Sequence, residues 1–456
     1  MSSDQQFEVS PPLPLGRIGR FRVGLGPSGL IPLLILAGLG AAQGFDSAAF
    51  GVLAPEIRHT FHLDNAGIDT VAGLTGAVPL LLSVVIGNLG DRGDRVKITR
   101  YSGLLWGVTA ILTGLAPVLA VLAIARLLGG IGLLSSQTIY PSLLSDYYPL
   151  EKRAQVFTAF LFASTGLGLV ASPLAGGLGS LFGWRSTFVL LALPTFIFVA
   201  LLRLLHEPIR RTPPDDEIGP EEIGREDPGL IPALTTAPTP LRAGTMRESF
   251  RIIRASRTLR RTWLGAFILG GASAPAATLV STFFKDVFHV SSFGRGAIIS
   301  VVGVGGLIGL LLSGGTAQRQ MTRGAARTLP LIAGVAAVVF AVFVLLAAIS
   351  PVLWMAIVAA GFAGIGLGGF LPPYTTIVSM VTLPHLRSQA FAWSTVFFAL
   401  GAISVAAFVG TLADAAGQRT ALGALAGVIV LGGAVLASAH RFVDGEITDS
   451  DPSPTP

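Results

Sequence analysis

The feature that most constrains this chain is its series of uninterrupted apolar runs, each as long as the roughly 18 to 20 residues that cross a bilayer as a helix. Between charged or Pro/Gly-rich breaks they fall near 30–54, 70–88, 101–120, 121–144, 155–178 and 186–202. After a long polar connection, six more fall near 263–284, 296–314, 328–349, 352–376, 389–412 and 420–438. Backbone groups in lipid must be paired within their own segment, so runs of this length read as helices and not as barrel strands. The expected fold is an all-α integral membrane protein with twelve transmembrane helices. Only 12% of the residues are charged, against about a quarter in a soluble domain, which excludes a water-soluble globule. The 52% hydrophobic content equally excludes a disordered chain.

The runs divide the chain into an N-terminal tail (1–27), a six-helix half (28–204), a connection (205–262), a second six-helix half (263–438) and a C-terminal tail (439–456). Net charge is +6, and the placement of the basic residues matters more than their sum, because they flank the spans and so point away from nucleic acid. With the N-terminus inside, the tails and even-numbered connections hold 25 of the 31 Lys and Arg residues. Arg58, Arg185, Lys285, Arg295 and Arg419 lie on the other side, and Arg126 falls within a span. The positive-inside rule therefore predicts a multi-pass protein of the cell membrane with both termini cytoplasmic. No short apolar stretch with a small-residue cleavage site precedes the first run, so no cleaved signal peptide is expected. The connection begins with an acidic, Pro-rich stretch that reads as disordered linker. In its second part Arg247, Arg251, Arg254, Arg257 and Arg261 recur at helical spacing, predicting a basic amphipathic helix on the inner membrane surface.

Laid on itself, the sequence repeats. FHLDNAG (61–67) matches FHVSSFG (288–294) at an offset of 227, a register that pairs Gly76 with Gly303, Gly87 with Gly314 and Arg92 with Arg319. Further on, at an offset of 234, Tyr140 pairs with Tyr374, Arg153 with Arg387, Gln155 with Gln389 and Arg185 with Arg419. Charged and aromatic residues matching in register imply a duplication. With an even number of spans per copy the repeats are parallel, so the two six-helix halves should be related by a pseudo-two-fold axis.

Two charged side chains fall within the cores of the spans, Asp46 in the first and Arg126 in the fourth. A charge at that depth costs about 2.5–3.5 kcal/mol on insertion scales and is usually paired, facing a cavity or an ion path. Counting 1.5 Å per residue from the span ends puts both roughly 8–12 Å below the same boundary, so an ion pair between them is possible. The register sets Ser273 opposite Asp46 and Ala360 opposite Arg126, which makes any ion chemistry one-sided. Asp46 is the proton-site candidate. A static bridge between helices is the competing reading.

GNLGDRGDRVK follows the second span. With Gly87, Asp91, Arg92, Gly93, Arg95 and Lys97 it resembles the loop motif of the major facilitator superfamily, with Asp94 in place of a small or neutral residue. The resemblance implies a cytoplasmic latch in which Asp91 meets a helix N-terminus or an Arg of the other half and favours the outward-facing state. In the second copy Gln318 stands opposite Asp91, placing the latch in the N half. Arg126 and Gly130 match the family's fourth-span pattern. GLGLVASPLAGG (166–177) resembles its antiporter signature, with Ser172 where Gly is expected before Pro173. Within the superfamily, residues 44–61, the loop motif and 125–149 resemble Spinster-type lipid transporters, which assigns proton coupling to Asp46 with Arg126 as its neighbour. In proteins this sequence resembles, the first, fourth, seventh and tenth spans line the central cavity. Gln43, Gln137, Tyr140, Ser273, Tyr374 and Thr375 are then its candidate polar contacts.

No P-loop, catalytic triad or metal spacing is present, no Cys occurs, and no cofactor is implied, so the chain does not read as an enzyme or a primary pump. The leading expectation is a monomeric secondary transporter in contact with membrane lipids. It would move a small amphipathic solute such as a lysolipid by alternating access coupled to protons. A multidrug or metabolite exporter of the same fold is the alternative, and a non-transporting receptor or partner subunit is the reading from a different class.

Overall fold

The computed structural model describes residues 29–63, 65–208, 246–290 and 292–448. The first half contains α1 (Ile31–Val52), the short α2 (Ala54–Phe61), α3 (Asn65–Arg92), α4 (Arg95–Leu115), α5 (Leu119–Tyr147) and α6 (Arg153–Leu201). The connection ends in α7 (Met246–Ala255). The second half follows as α8 (Arg257–Phe288), α9 (Ser292–Thr322), α10 (Leu329–Ile349), α11 (Leu353–Gly369), α12 (Leu371–Val381), α13 (Arg387–Ala416) and α14 (Gln418–Ala437), with α15 (Val443–Thr448) closing the described chain. α6 is two spans in one run, parted at Gly183, whose φ of 77° and ψ of 161° are non-helical. The tenth span is likewise shared by α11 and α12. Twelve membrane-crossing helices in two halves result.

Among the described residues, seven stretches are apolar enough to cross a membrane on composition alone. The third span begins earlier than its apolar run, at Arg95, because Asp94 caps it by accepting from the Lys97 N–H at 2.9 Å. The expected single basic helix of the connection is corrected by the structure. Ser256 accepts from the Leu259 N–H at 3.0 Å and starts α8, so Arg251 and Arg254 lie on α7 while Arg257 and Arg261 lie on the spanning helix.

The pseudo-two-fold axis is written in the backbone. His62 and His289, 227 apart, end helices with φ of 53° and 54°. Arg185 donates to the Ala116 carbonyl at 3.1 Å, and Arg419, 234 later, to that of Ser350 at 3.0 Å, the register partner of Ala116. Packing follows suit. α1 lies on α6 as α8 lies on α13, and α3 on α5 as α9 on α11. The halves meet where α3 packs on α13 and, symmetrically, α9 on α6. At the first contact a Cβ on Gly87 would stand 2.7 Å from that of Ala392, so only glycine permits this approach. Its copy Gly314 abuts Thr158, the register partner of Ala392.

Candidate functional site

Helices α1 and α5 bring the two intramembrane charges together. Arg126 Nη1 donates to Asp46 Oδ2 at 2.8 Å, with both side chains buried. The guanidinium lies 4.5 Å from the centre of the Phe50 ring, one turn beyond Asp46, which adds a cation–π contact in a desolvated setting. Thr75 of α3 donates to the Arg126 carbonyl at 3.1 Å. Beside the pair is a cavity of about 10 Å³, lined by Trp106, Thr109 and Thr113 of α4 and by Thr75. Asp46 Oδ1 and Arg126 Nε are buried with no hydrogen-bond partner among the described residues. The pair is therefore held by its mutual bond and only partly satisfied around it.

At the corresponding place in the second half the register puts Val302 for Thr75, Phe340 for Trp106, Ala347 for Thr113 and Ala360 for Arg126. These four line an apolar cavity of about 240 Å³. The chemistry of the pair is thus confined to one half, in accord with the register.

The remaining candidates divide. Gln43 is buried, donates to the Gly132 carbonyl at 3.3 Å and stands beside the Tyr140 hydroxyl without closing a well-formed hydrogen bond. Tyr140 is packed edge-on against Phe160, and its register partner Tyr374 against Phe370. Both hydroxyls, like Gln43 Oε1, are buried without a partner among the described residues. Gln137 is exposed. Thr375 is spent locally, since its hydroxyl donates to the carbonyls of Leu371 and Pro372 in its own helix. The side chain of Ser273 lies outside the described residues.

The loop motif forms a seam at the end of the molecule from which the 205–262 connection departs. Asp91 Oδ1 and Oδ2 accept from the backbone N–H groups of Ser388 and Gln389, both at 2.9 Å, at the N-terminus of α13. Asp91 stands past the apolar 70–88 core of its span. Burial pushes its carboxyl up from an ordinary 3.8 to about 7, while the two N–H donors and Arg95 pull the other way. The second copy is not inert, contrary to the expectation from its missing acid. Gln318 Oε1 accepts from the Gln155 N–H at 2.9 Å, the bond that the register predicts as the mate of Asp91 with Gln389. Other motif residues serve the first half. Arg95 is fully buried and binds Asp146 at 2.5 Å and Glu207 at 2.7 Å, while Lys97 is exposed and pairs with Asp94 at 3.3 Å. Gly93 lets the chain turn tightly over the Leu89 carbonyl, and Arg92 is exposed.

Asp146, absent from the sequence expectations, is central to the seam. Its carboxylate binds Arg95 of its own half and Arg387 of the other. Arg153 and Arg387, matched in the register, donate to the Ser145 and Ser379 carbonyls at 3.0 and 3.1 Å, and Arg153 also reaches Ser379 across the seam at 3.3 Å. The available signal was the arginine pair in register, with one acid seven residues before the first of them.

Comparison with known proteins agrees with this fold. The sequence profile described as Major Facilitator Superfamily matches residues 36–361. The chain is 23% identical over 439 residues to the uncharacterized transporter YybO of Bacillus subtilis (strain 168), covering 91% of this chain and 93% of that one. Among solved structures it resembles a bacterial homolog of the human lysosomal transporter Spinster in an inward-facing, unoccupied conformation, with 22% identity, TM-score 0.52 and coverage of 95% and 100% of the two chains. It also resembles the E. coli fucose:proton symporter FucP, with 14% identity, TM-score 0.68 and coverage of 91% and 98%. A twelve-helix duplication, a buried charge pair in one copy and a glycine-lined seam between copies, matched by the profile over most of the length, place this chain in the Major Facilitator Superfamily, a family of transporters and not of enzymes.

Proposed function

We propose that this transporter is proton-coupled and moves an amphipathic or lipophilic small molecule, such as a lysolipid, by alternating access. The observation that carries the reading is the 2.8 Å bond between Asp46 and Arg126, buried in a partly satisfied site in one half only. With Asp46 ionised the pair locks α1 to α5. Protonation frees Arg126 and loosens the two helices, so proton binding and helix movement become one event. The substrate class is supported by the candidate lining: Gln43, Tyr140 and Tyr374 offer few polar atoms amid much apolar surface, too few to satisfy a sugar, whose unmatched hydroxyls would be costly to bury. On this reading the seam end is cytoplasmic, by the distribution of basic residues, so the conformation described is closed toward the cytoplasm. The protein works as a monomer in the cell membrane, with both termini inside.

Proteoliposomes with an imposed pH gradient test it against a panel of lysolipids, lipophilic drugs and sugars. Gradient-driven accumulation of an amphipathic solute is expected in the wild type and is lost in Asp46→Asn, with substrate binding retained. Normal pH-dependent transport in Asp46→Asn would reduce the pair to a structural bridge. Saturable sugar transport without competition from lysolipids would reject the substrate class.

A further inference from the structure

The break at Ser256 separates the arginines of the connection into two sets with different surroundings. Arg257 and Arg261 are committed to the C-terminal segment. Their guanidinium groups lie 5.7 and 5.0 Å from the centre of the Phe442 ring, and Arg261 donates to Ser438 Oγ at 2.5 Å. Glu446 of α15 caps the same turn by accepting from the Arg257 N–H at 2.7 Å and from the Ser256 hydroxyl at 2.6 Å. Arg254 and Arg260, in contrast, are exposed and have neither an ion pair nor a hydrogen bond among the described residues.

These two arginines share a groove of about 540 Å³ between α7, α8 and α13. Its walls are aromatic. Phe250 lies parallel to Trp263 with ring centres 6.5 Å apart, and Trp263 stacks on Phe397 at 5.3 Å. The Trp263 N–H is already given to Ser394 Oγ at 3.0 Å, so the indole contributes an apolar face and no free donor. Leu264, half exposed, and Phe267 extend the groove along α8. From Arg260 to Phe267 is seven residues, about 10 Å of helix rise, so the groove runs from a charged end at the membrane boundary into the apolar zone.

We propose that this groove binds a membrane phospholipid with an anionic headgroup, its phosphate held by Arg254 and Arg260 and its acyl chain laid along Leu264, Phe267 and Phe397. The chemistry is complementary at both ends: an unpaired guanidinium forks onto phosphate oxygens, and the aromatic wall accepts a hydrocarbon chain. A soluble phosphate would use only the charged end, and a neutral lipid only the apolar one. The site is separate from the Asp46 pair and does not depend on which solute is transported.

The test uses the full chain purified in detergent, with lipid adducts counted by native mass spectrometry. Probes are dioleoylphosphatidylglycerol, dioleoylphosphatidylcholine and glycerol 3-phosphate. Phosphatidylglycerol should be retained in preference to phosphatidylcholine, by on the order of 10- to 30-fold for two surface arginines. That preference should vanish in Arg254→Gln/Arg260→Gln and persist in Arg251→Gln, a neighbour on α7 that does not line the groove. Equal retention of the two lipids, or an unchanged preference in the double variant, would overturn the proposal. So would full displacement of the lipid by glycerol 3-phosphate, which would leave an anion site only. Should the double variant fail to fold, the wild type decides. Phosphatidylglycerol brominated on its acyl chains should quench tryptophan fluorescence, and quenching that is undiminished by Trp263→Phe/Trp393→Phe would place the lipid elsewhere.

Discussion

Gly183 and Gly417 stand 234 residues apart and share one backbone conformation, φ 77° and ψ 161° in the first and φ 84° and ψ 163° in the second. That region is open essentially to glycine alone and costs other residues about 1–3 kcal/mol. A Cβ at either position would meet nothing within 4 Å, so the backbone conformation alone sets the constraint. Gly183→Ala and Gly417→Ala should each lower stability by that amount. Lying in separate halves, the two losses should add in the double variant, as read by thermal unfolding in detergent.

Removing one member of the buried pair should cost more than removing both. Arg126→Ala leaves Asp46 as an uncompensated buried charge, with an expected loss of about 3–5 kcal/mol. Asp46→Asn/Arg126→Gln should recover most of it. A double-mutant cycle on unfolding midpoints measures the coupling, and additive losses would show that the 2.8 Å bond contributes little.

The seam should depend on Asp91 through its two N–H partners. Asp91→Ala leaves the N–H groups of Ser388 and Gln389 unpaired, at about 1–3 kcal/mol for each group that stays buried, so the seam should open. Accessibility of a cysteine introduced beneath the seam, in a chain without native Cys, reports that opening. Gln318→Ala removes two neutral bonds, from the Gln155 N–H and to the Glu151 carbonyl, but strands one backbone N–H where Asp91→Ala strands two, so it should open the seam less.

Acidity should favour the closed seam. The Asp91 carboxyl is raised to about 7 when buried in the seam, against 3.8 when released, so the closed form holds the proton more tightly. The resulting preference is fully present below about pH 4 and is lost as pH rises through about 7. Seam accessibility measured from pH 5 to 8 should therefore increase with pH, and Asp91→Asn, which cannot titrate, should flatten the dependence.

Sidedness has a direct check. His59 lies on α2 at one end of the molecule and Glu151 beside the seam at the other, both exposed. In intact cells an impermeant thiol reagent added outside should label His59→Cys and spare Glu151→Cys. The opposite pattern would reverse the orientation in the membrane.

Hydropathy and the repeat made the architecture legible, because burial in lipid demands long apolar helices and duplication preserves the residues that close turns. The pairing of Asp46 with Arg126 was legible for a related reason, since buried charge is rare enough to seek its partner. The seam was only half legible. Arg153 and Arg387 announce themselves by register, but each donates to a backbone carbonyl, which no side-chain pattern marks, and Arg387 adds a carboxylate partner, Asp146. Asp146 sits where a helix leaves the membrane, where an acid ordinarily needs no explanation. Gln318 was misread because loss of the charge looked like loss of the bond, whereas an amide oxygen accepts from the Gln155 N–H as Asp91 does from its partners.

The apolar cavity in the second half has a mechanical consequence. Among the described residues, the two copies of one fold line pockets of different size at the same place, about 240 Å³ against about 10 Å³. Hydrostatic pressure acts on voids and favours states that eliminate them, so it should soften the second half before the first. On that expectation the duplicated halves act as unequal springs. On the proposed alternating-access cycle, elastic deformation is then expected to concentrate in the C-terminal half, with the N-terminal half turning as the stiffer arm.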